Sequence, residues 1–121
     1  MTEFRRYCQA LDLIDETELI NEYISMHKII WPEIAENIRA QGVVDMQIWR
    51  IGNRLFMIMD VDSSFSFEKA EKMNNSNSKV LEWEERMWKY QIPTPWTPAG
   101  EKWILMEQIF SLSAQSVHLK S

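Results

Sequence analysis

The stretch VVDMQIWRIGNRLFMIMDV, residues 43–61, constrains the fold more than any other. Two runs rich in β-branched and aromatic side chains flank Gly52-Asn53, a short turn signal, so residues 43–62 read as a β-hairpin. From Leu55 to Met59 the second run is apolar without alternation, which predicts cover on both faces and therefore a central strand.

The flanking segments supply partners for that hairpin. RRYCQALDL, residues 5–13, reads as a strand, and Asp15-Glu16-Thr17-Glu18 carries helix-start chemistry ahead of an apolar periodic stretch. A helix is expected from there to about Gln41, with Gly42 as its stop. After the hairpin, SFSFEKAEKM reads as a short helix, NNSNS as a loop and KVLEWEERMWKYQ as a further helix. IPTPWTPAG holds three of the four prolines and must be extended or turned. EKWILMEQIFSL reads as a final strand.

The order strand, helix, strand, strand, helices, strand predicts an α+β fold: a ferredoxin-like split βαβ domain whose helices cover one face of an antiparallel sheet. The uncovered face must close a pocket within the chain or, as its apolar strands favour, become the interface of a dimeric α+β barrel. A single domain is expected over residues 1–112, and residues 113–121 read as a flexible C-terminal tail.

At 121 residues there is room for one domain and one core. No apolar run is long enough to span a bilayer, and MTEFRRYCQ lacks the apolar centre of a signal peptide, so a cytoplasmic protein with no membrane partner is expected. A net charge of −5 and the lack of a Lys/Arg cluster argue against nucleic acid. Cys8 is the only cysteine, and His27 and His118 lie far apart, so no metal site is expected. Neither a glycine-rich phosphate loop nor a G-x-S-x-G motif occurs, and no cofactor is expected. Six tryptophans in so short a chain are many to hide in a core, and suit a pocket that takes flat or amphipathic ligands.

Candidate chemistry concentrates in EYISMHKIIWPEI, residues 22–34. At helical spacing Ile20, Tyr23, His27, Ile30, Trp31, Ile34 and Ile38 share one side, and Tyr23 and His27 stand one turn apart. Such a stripe can simply pack on a sheet, with both polar groups satisfied locally. It can equally line a cavity, with His27 and Tyr23 as paired proton carriers. Pro32 removes a backbone donor, so the helix kinks there or restarts with Pro32 in its first turn. Further along, WEERMWKY sets Trp83 and Met87 four apart, with Trp88 and Tyr90 close by, as the wall of a small-ligand site or the lid of a core.

Together EYISMHKIIWPEI, WEERMWKY and EKWILMEQIFSL resemble the L-rhamnose mutarotase family, over Arg5 to about Leu112. The resemblance implies a homodimer that binds a 6-deoxy sugar and interconverts its α and β anomers without a cofactor. It implies that His27 is the proton donor, that Tyr23 binds the sugar, that Trp88 lines the pocket and that Arg5 matches an arginine near the start of the first strand. Trp31, Asp45, Met46, Met87 and Tyr90 complete the expected substrate-binding set. Met46 and Met87 stand where rhamnose-specific members tend to have aromatics, so L-rhamnose is the first expectation for the sugar and L-fucose its competitor. Barrels of this shape also host cofactor-independent or haem-linked monooxygenases and non-catalytic small-molecule binders, which stay as alternatives.

Overall fold

The structure, a computed structural model, describes residues 4–116. His118 and residues 117–121 of the expected tail lie outside the described residues. Strand β1 (Arg5–Leu13) leads into two helices, α1 (Thr17–Met26) and α2 (Pro32–Ala40). The hairpin β2 (Val43–Ile51) and β3 (Arg54–Val61) follows, then α3 (Phe67–Asn75), α4 (Ser78–Met87) and the two short strands β4 (Gln91–Ile92) and β5 (Ile104–Leu105). The sheet order is β2-β3-β1-β4, with β5 also on β1, and every pairing is antiparallel. This is the ferredoxin-like α+β arrangement read from the sequence.

Three local expectations are corrected. The helix expected to run unbroken to Gln41 is two helices, and of the kink and the restart expected at Pro32 the restart is what forms: Pro32 cannot donate to the carbonyl a turn behind it and opens α2 at its first position. Trp31 before it is extended (φ −61°, ψ 137°), the backbone that a following proline imposes. The expected last strand shrinks to Ile104–Leu105, paired with Ala10 and Gln9, and after Met106 N donates to the Cys8 carbonyl (2.8 Å) the chain leaves the sheet. β3 is central as expected, but only alternate residues are fully buried: Leu55, Met57, Met59 and Val61 face the helices, while Phe56 and Ile58 are half-buried on the other side.

The helices start where side chains meet their free N–H groups. Ser66 Oγ accepts from Lys69 N at α3, and Asn77 Oδ1 accepts from Lys79 N and Val80 N at α4. Beneath them, Ile20, Tyr23, Ile34, Val80, Trp83, Met87 and Tyr90 pack on Leu13 and Leu55. A second cluster of Val43, Met59, Val61, Phe65 and Ala70 fills the other end. Gly42 joins α2 to β2 at φ +104°, where a Cβ would lie 2.6 Å from both Asp62 Oδ1 and Ser64 Oγ. A register shift between Val43 and Asp45 leaves Val44 without an opposite residue and sets Met46 against Met59. Without that bulge Met46 would point to the opposite face of the sheet.

Candidate active site

Between the helices and the inner face of the sheet lies a cavity of about 600 Å³, within the range of small-molecule sites. Gln9, Met57 and Met59 form its floor, Ile34 and Ile38 come from α2, and Trp83, Glu84 and Met87 come from α4. Tyr23 and His27 enter from α1 and its C-cap, and Gln91 and Trp103 from beyond α4.

Because α1 ends at His27, the histidine sits on the final turn, with its ring on that of Tyr23 (4.1 Å between centroids, 32° between planes). His27 Nδ1 lies 2.8 Å from the Tyr23 carbonyl oxygen. A carbonyl has no proton to give, so Nδ1 carries the hydrogen and Nε2 keeps a free lone pair. Burial lowers the His27 pKa, and the bond to the carbonyl only partly opposes it, so the imidazole is neutral at pH 7.

Tyr23 is shifted in the opposite sense. Only 3 % of it is exposed, and burial pushes its pKa up to about 12; a hydrogen bond from Gln91 opposes that rise and the charge of Glu84 adds to it. Gln91 Nε2 donates to the Tyr23 hydroxyl oxygen at 3.3 Å. The wall therefore presents a protonated phenol beside a neutral imidazole with an open lone pair. Two adjoining groups pushed apart in this way can serve as acid and base at the same pH.

Ion pairing fixes the far edge. Lys102 Nζ donates to Glu84 Oε2 (2.6 Å) and to the Glu84 carbonyl (3.2 Å), which ties the loop that bears Trp103 to α4. Among the described residues no group of three or more His, Cys, Asp or Glu could hold a metal ion, and no helix is long and apolar enough to cross a membrane.

Of the residues singled out in the sequence, Tyr23, His27, Asp45, Met46 and Met87 border this cavity. Asp45 in register faces Asp60, and its carboxylate accepts from Gln47 Nε2 at 3.5 Å. Four others are not in the cavity wall. Trp31 packs edge to face on Trp83 (5.1 Å) beneath Arg86, and Tyr90 donates to Glu22 (3.1 Å) while its ring meets that of Tyr23. Trp88 is 43 % exposed under the Lys102 ammonium, and Arg5 donates to the Phe65 carbonyl (3.3 Å). Gln9, Gln91 and Trp103 were not foreseen, because β-pairing and a long loop bring them in. Trp83 was legible in its spacing from Met87.

The ferredoxin-like α+β fold of the chain recurs in solved structures, and its sequence matches a family of sugar mutarotases. Residues 6–112 match the family model described as L-rhamnose mutarotase. An L-fucose mutarotase of Xanthomonas campestris pv. campestris is 32% identical over 111 residues, covering 90% of this chain and 89% of that protein. The crystal structure of L-rhamnose mutarotase FA22100 from Formosa agariphila superposes with a TM-score of 0.64 at 21% identity, covering 89% of this chain and 98% of the other. A dimeric ferredoxin-like protein from an uncultured marine organism has the same fold at TM-score 0.51 and 16% identity, over 92% of this chain and 95% of that one. The chain belongs to the L-rhamnose mutarotase family.

Proposed function

We propose that the protein interconverts the α and β anomers of a 6-deoxy-L-hexose, with L-rhamnose first and L-fucose the alternative, by opening and reclosing the ring. The observation that carries this reading is the pairing of a protonated Tyr23 with a neutral His27 on one cavity wall. His27 Nε2 takes the proton of the anomeric hydroxyl while Tyr23 gives its proton to the ring oxygen, and the C–O bond opens to the aldehyde. After rotation about the C1–C2 bond the roles reverse. Tyrosinate recovers the proton from the former ring oxygen as it attacks, and the imidazolium protonates the carbonyl oxygen. Both groups end as they began.

Positioned acid and base groups contribute about 10²- to 10⁴-fold each, sufficient for a reaction that already proceeds in water. Trp83 and Trp103 offer apolar faces to the C–H side of the sugar, and Met46 and Met87 fill space beside it. Arg5, Trp31, Trp88 and Tyr90 act in this proposal by supporting the residues that touch substrate; Trp31 and Tyr90 do so through their packing on Trp83 and Tyr23.

The working form in this proposal is a homodimer joined through the open sheet faces. Register places Trp49, Phe56, Ala10 and Ile104 in one row and Gln47, Ile58 and Cys8 in the next. Trp49 is 62 % exposed, and the paired ions Arg6–Asp60 and Arg54–Asp12 stand at the ends of this apolar strip.

Exchange NMR between the anomers of L-rhamnose and of L-fucose, with and without protein, tests the function. Faster exchange with one sugar supports the proposal and names the substrate. Binding without faster exchange would make the protein a carrier, and no effect on either sugar would remove the proposal.

A further inference from the structure

In the proposed reaction Tyr23 must meet the sugar with its proton still available. Yet a buried tyrosine hydroxyl ordinarily donates to the nearest acceptor. Its neighbour here is the side-chain amide of Gln91, which can present either a donor or an acceptor. The amide turns Nε2 to the phenol oxygen (3.3 Å), and Oε1 is left buried with no partner among the described residues. The opposite orientation would aim the acceptor at the phenol and occupy its proton.

Building on the mutarotase reading, we propose that Gln91 is a positioning residue: by donating to the Tyr23 oxygen it keeps the phenol proton directed into the cavity and steadies the phenolate once that proton has gone to the sugar.

The fold holds the Gln91 backbone beside Tyr23. Gln91 is only 7 % exposed and sits opposite Leu13 in the short β1–β4 ladder. The preceding residue is held at both ends, since Ile14 N donates to the Tyr90 carbonyl (2.8 Å) and the Tyr90 hydroxyl donates to Glu22 (3.1 Å). The Tyr90 ring then meets the Tyr23 ring edge to face at 6.1 Å. Tyr23 is thus held from the side by one residue and at its oxygen by the next. The donated bond also acts on the Tyr23 pKa in the sense that a phenolate-stabilising contact requires, downward against burial.

The test reads Tyr23 directly as well as through catalysis. With 3-fluorotyrosine incorporated and the Tyr23 resonance assigned from Tyr23→Phe, ¹⁹F NMR follows its titration in the wild type and in Gln91→Leu. The midpoint should rise by roughly 0.5 to 1 pH unit in the variant, the worth of one neutral hydrogen bond. Loss of the donor should lower kcat about tenfold with KM within about twofold, since the contact strengthens as charge develops on the phenol.

Gln91→Glu keeps the size, but its carboxyl can donate only when protonated. Its kcat relative to that of Gln91→Leu should therefore climb as pH falls. Gln91→Met replaces the leucine variant if that one does not fold. An unmoved Tyr23 titration, or a loss confined to KM, overturns the positioning role. A shifted titration in a protein that accelerates no sugar keeps the Gln91–Tyr23 coupling and removes the mutarotase reading instead.

Discussion

The Trp83 indole meets the His27 imidazole edge to face, with 5.6 Å between ring centres and 66° between planes. With Tyr23 stacked on another side, the ring has little water to stabilise a positive charge, and its pKa falls below the usual histidine value. Activity that depends on neutral His27 should hold at pH 7 and decline only as pH falls through that depressed value. A pH–rate profile by exchange NMR, beside the titration of the His27 ring protons, checks this; a decline starting above pH 6.5 would contradict it.

The same shift acts on stability. In the unfolded chain histidine titrates near its ordinary pKa of about 6.5, so below that pH the unfolded state binds the extra proton first. His27 therefore contributes stability above about pH 6.5 that is lost as pH falls towards the folded value. His27→Gln should flatten this part of the stability–pH curve in urea titrations.

His27→Gln removes the imidazole from a half-buried position and should reduce anomer exchange by about 10²- to 10⁴-fold while the protein still folds. Circular dichroism and exchange NMR on one sample separate the two effects. Unfolding of the variant would make His27 a core residue first.

Tyr23→Phe deletes the proposed acid and leaves the buried Gln91 donor without the phenol, so it should cost about 1–3 kcal/mol of stability along with catalysis. Wild-type stability with lost activity would mean that Gln91 finds another partner.

Gly42→Ala forces a side chain onto a backbone at φ +104° and into Asp62 and Ser64. Backbone strain alone costs about 1–3 kcal/mol, and the clash adds to it. A thermal melt matching wild type would show that the α2–β2 junction relaxes freely.

Phe56→Glu places a charge in the middle of the open sheet face and should turn the proposed dimer into a monomer. Sedimentation equilibrium reads the change; an unaltered mass would move the interface elsewhere.

What the sequence made legible is what local chemistry decides. Gly52-Asn53 between two strand-forming runs specified the hairpin, and the RRYCQALDL run specified β1. Tyr23 and His27 share a face because helical spacing puts them there. The length of the last strand was not legible, because ILMEQIF has strand composition throughout but only Ile104–Leu105 pairs with β1. Gln91 was hidden for the same reason: its contact with Tyr23 spans 68 residues and depends on strand pairing and a buried amide orientation. The bulge at Val43–Asp45, which turns Met46 inward, carries no glycine or proline to announce it.

The break between α1 and α2 also divides labour along the chain. The proposed proton transfer falls to residues at the end of α1, whereas Ile34 and Ile38 of α2 and Met46 and Met57 of the sheet line the cavity from other elements. Substitutions in the second group can reshape the cavity without moving the first. On the proposed reaction, a laboratory library restricted to those four positions would vary the walls and leave Tyr23 and His27 unaltered.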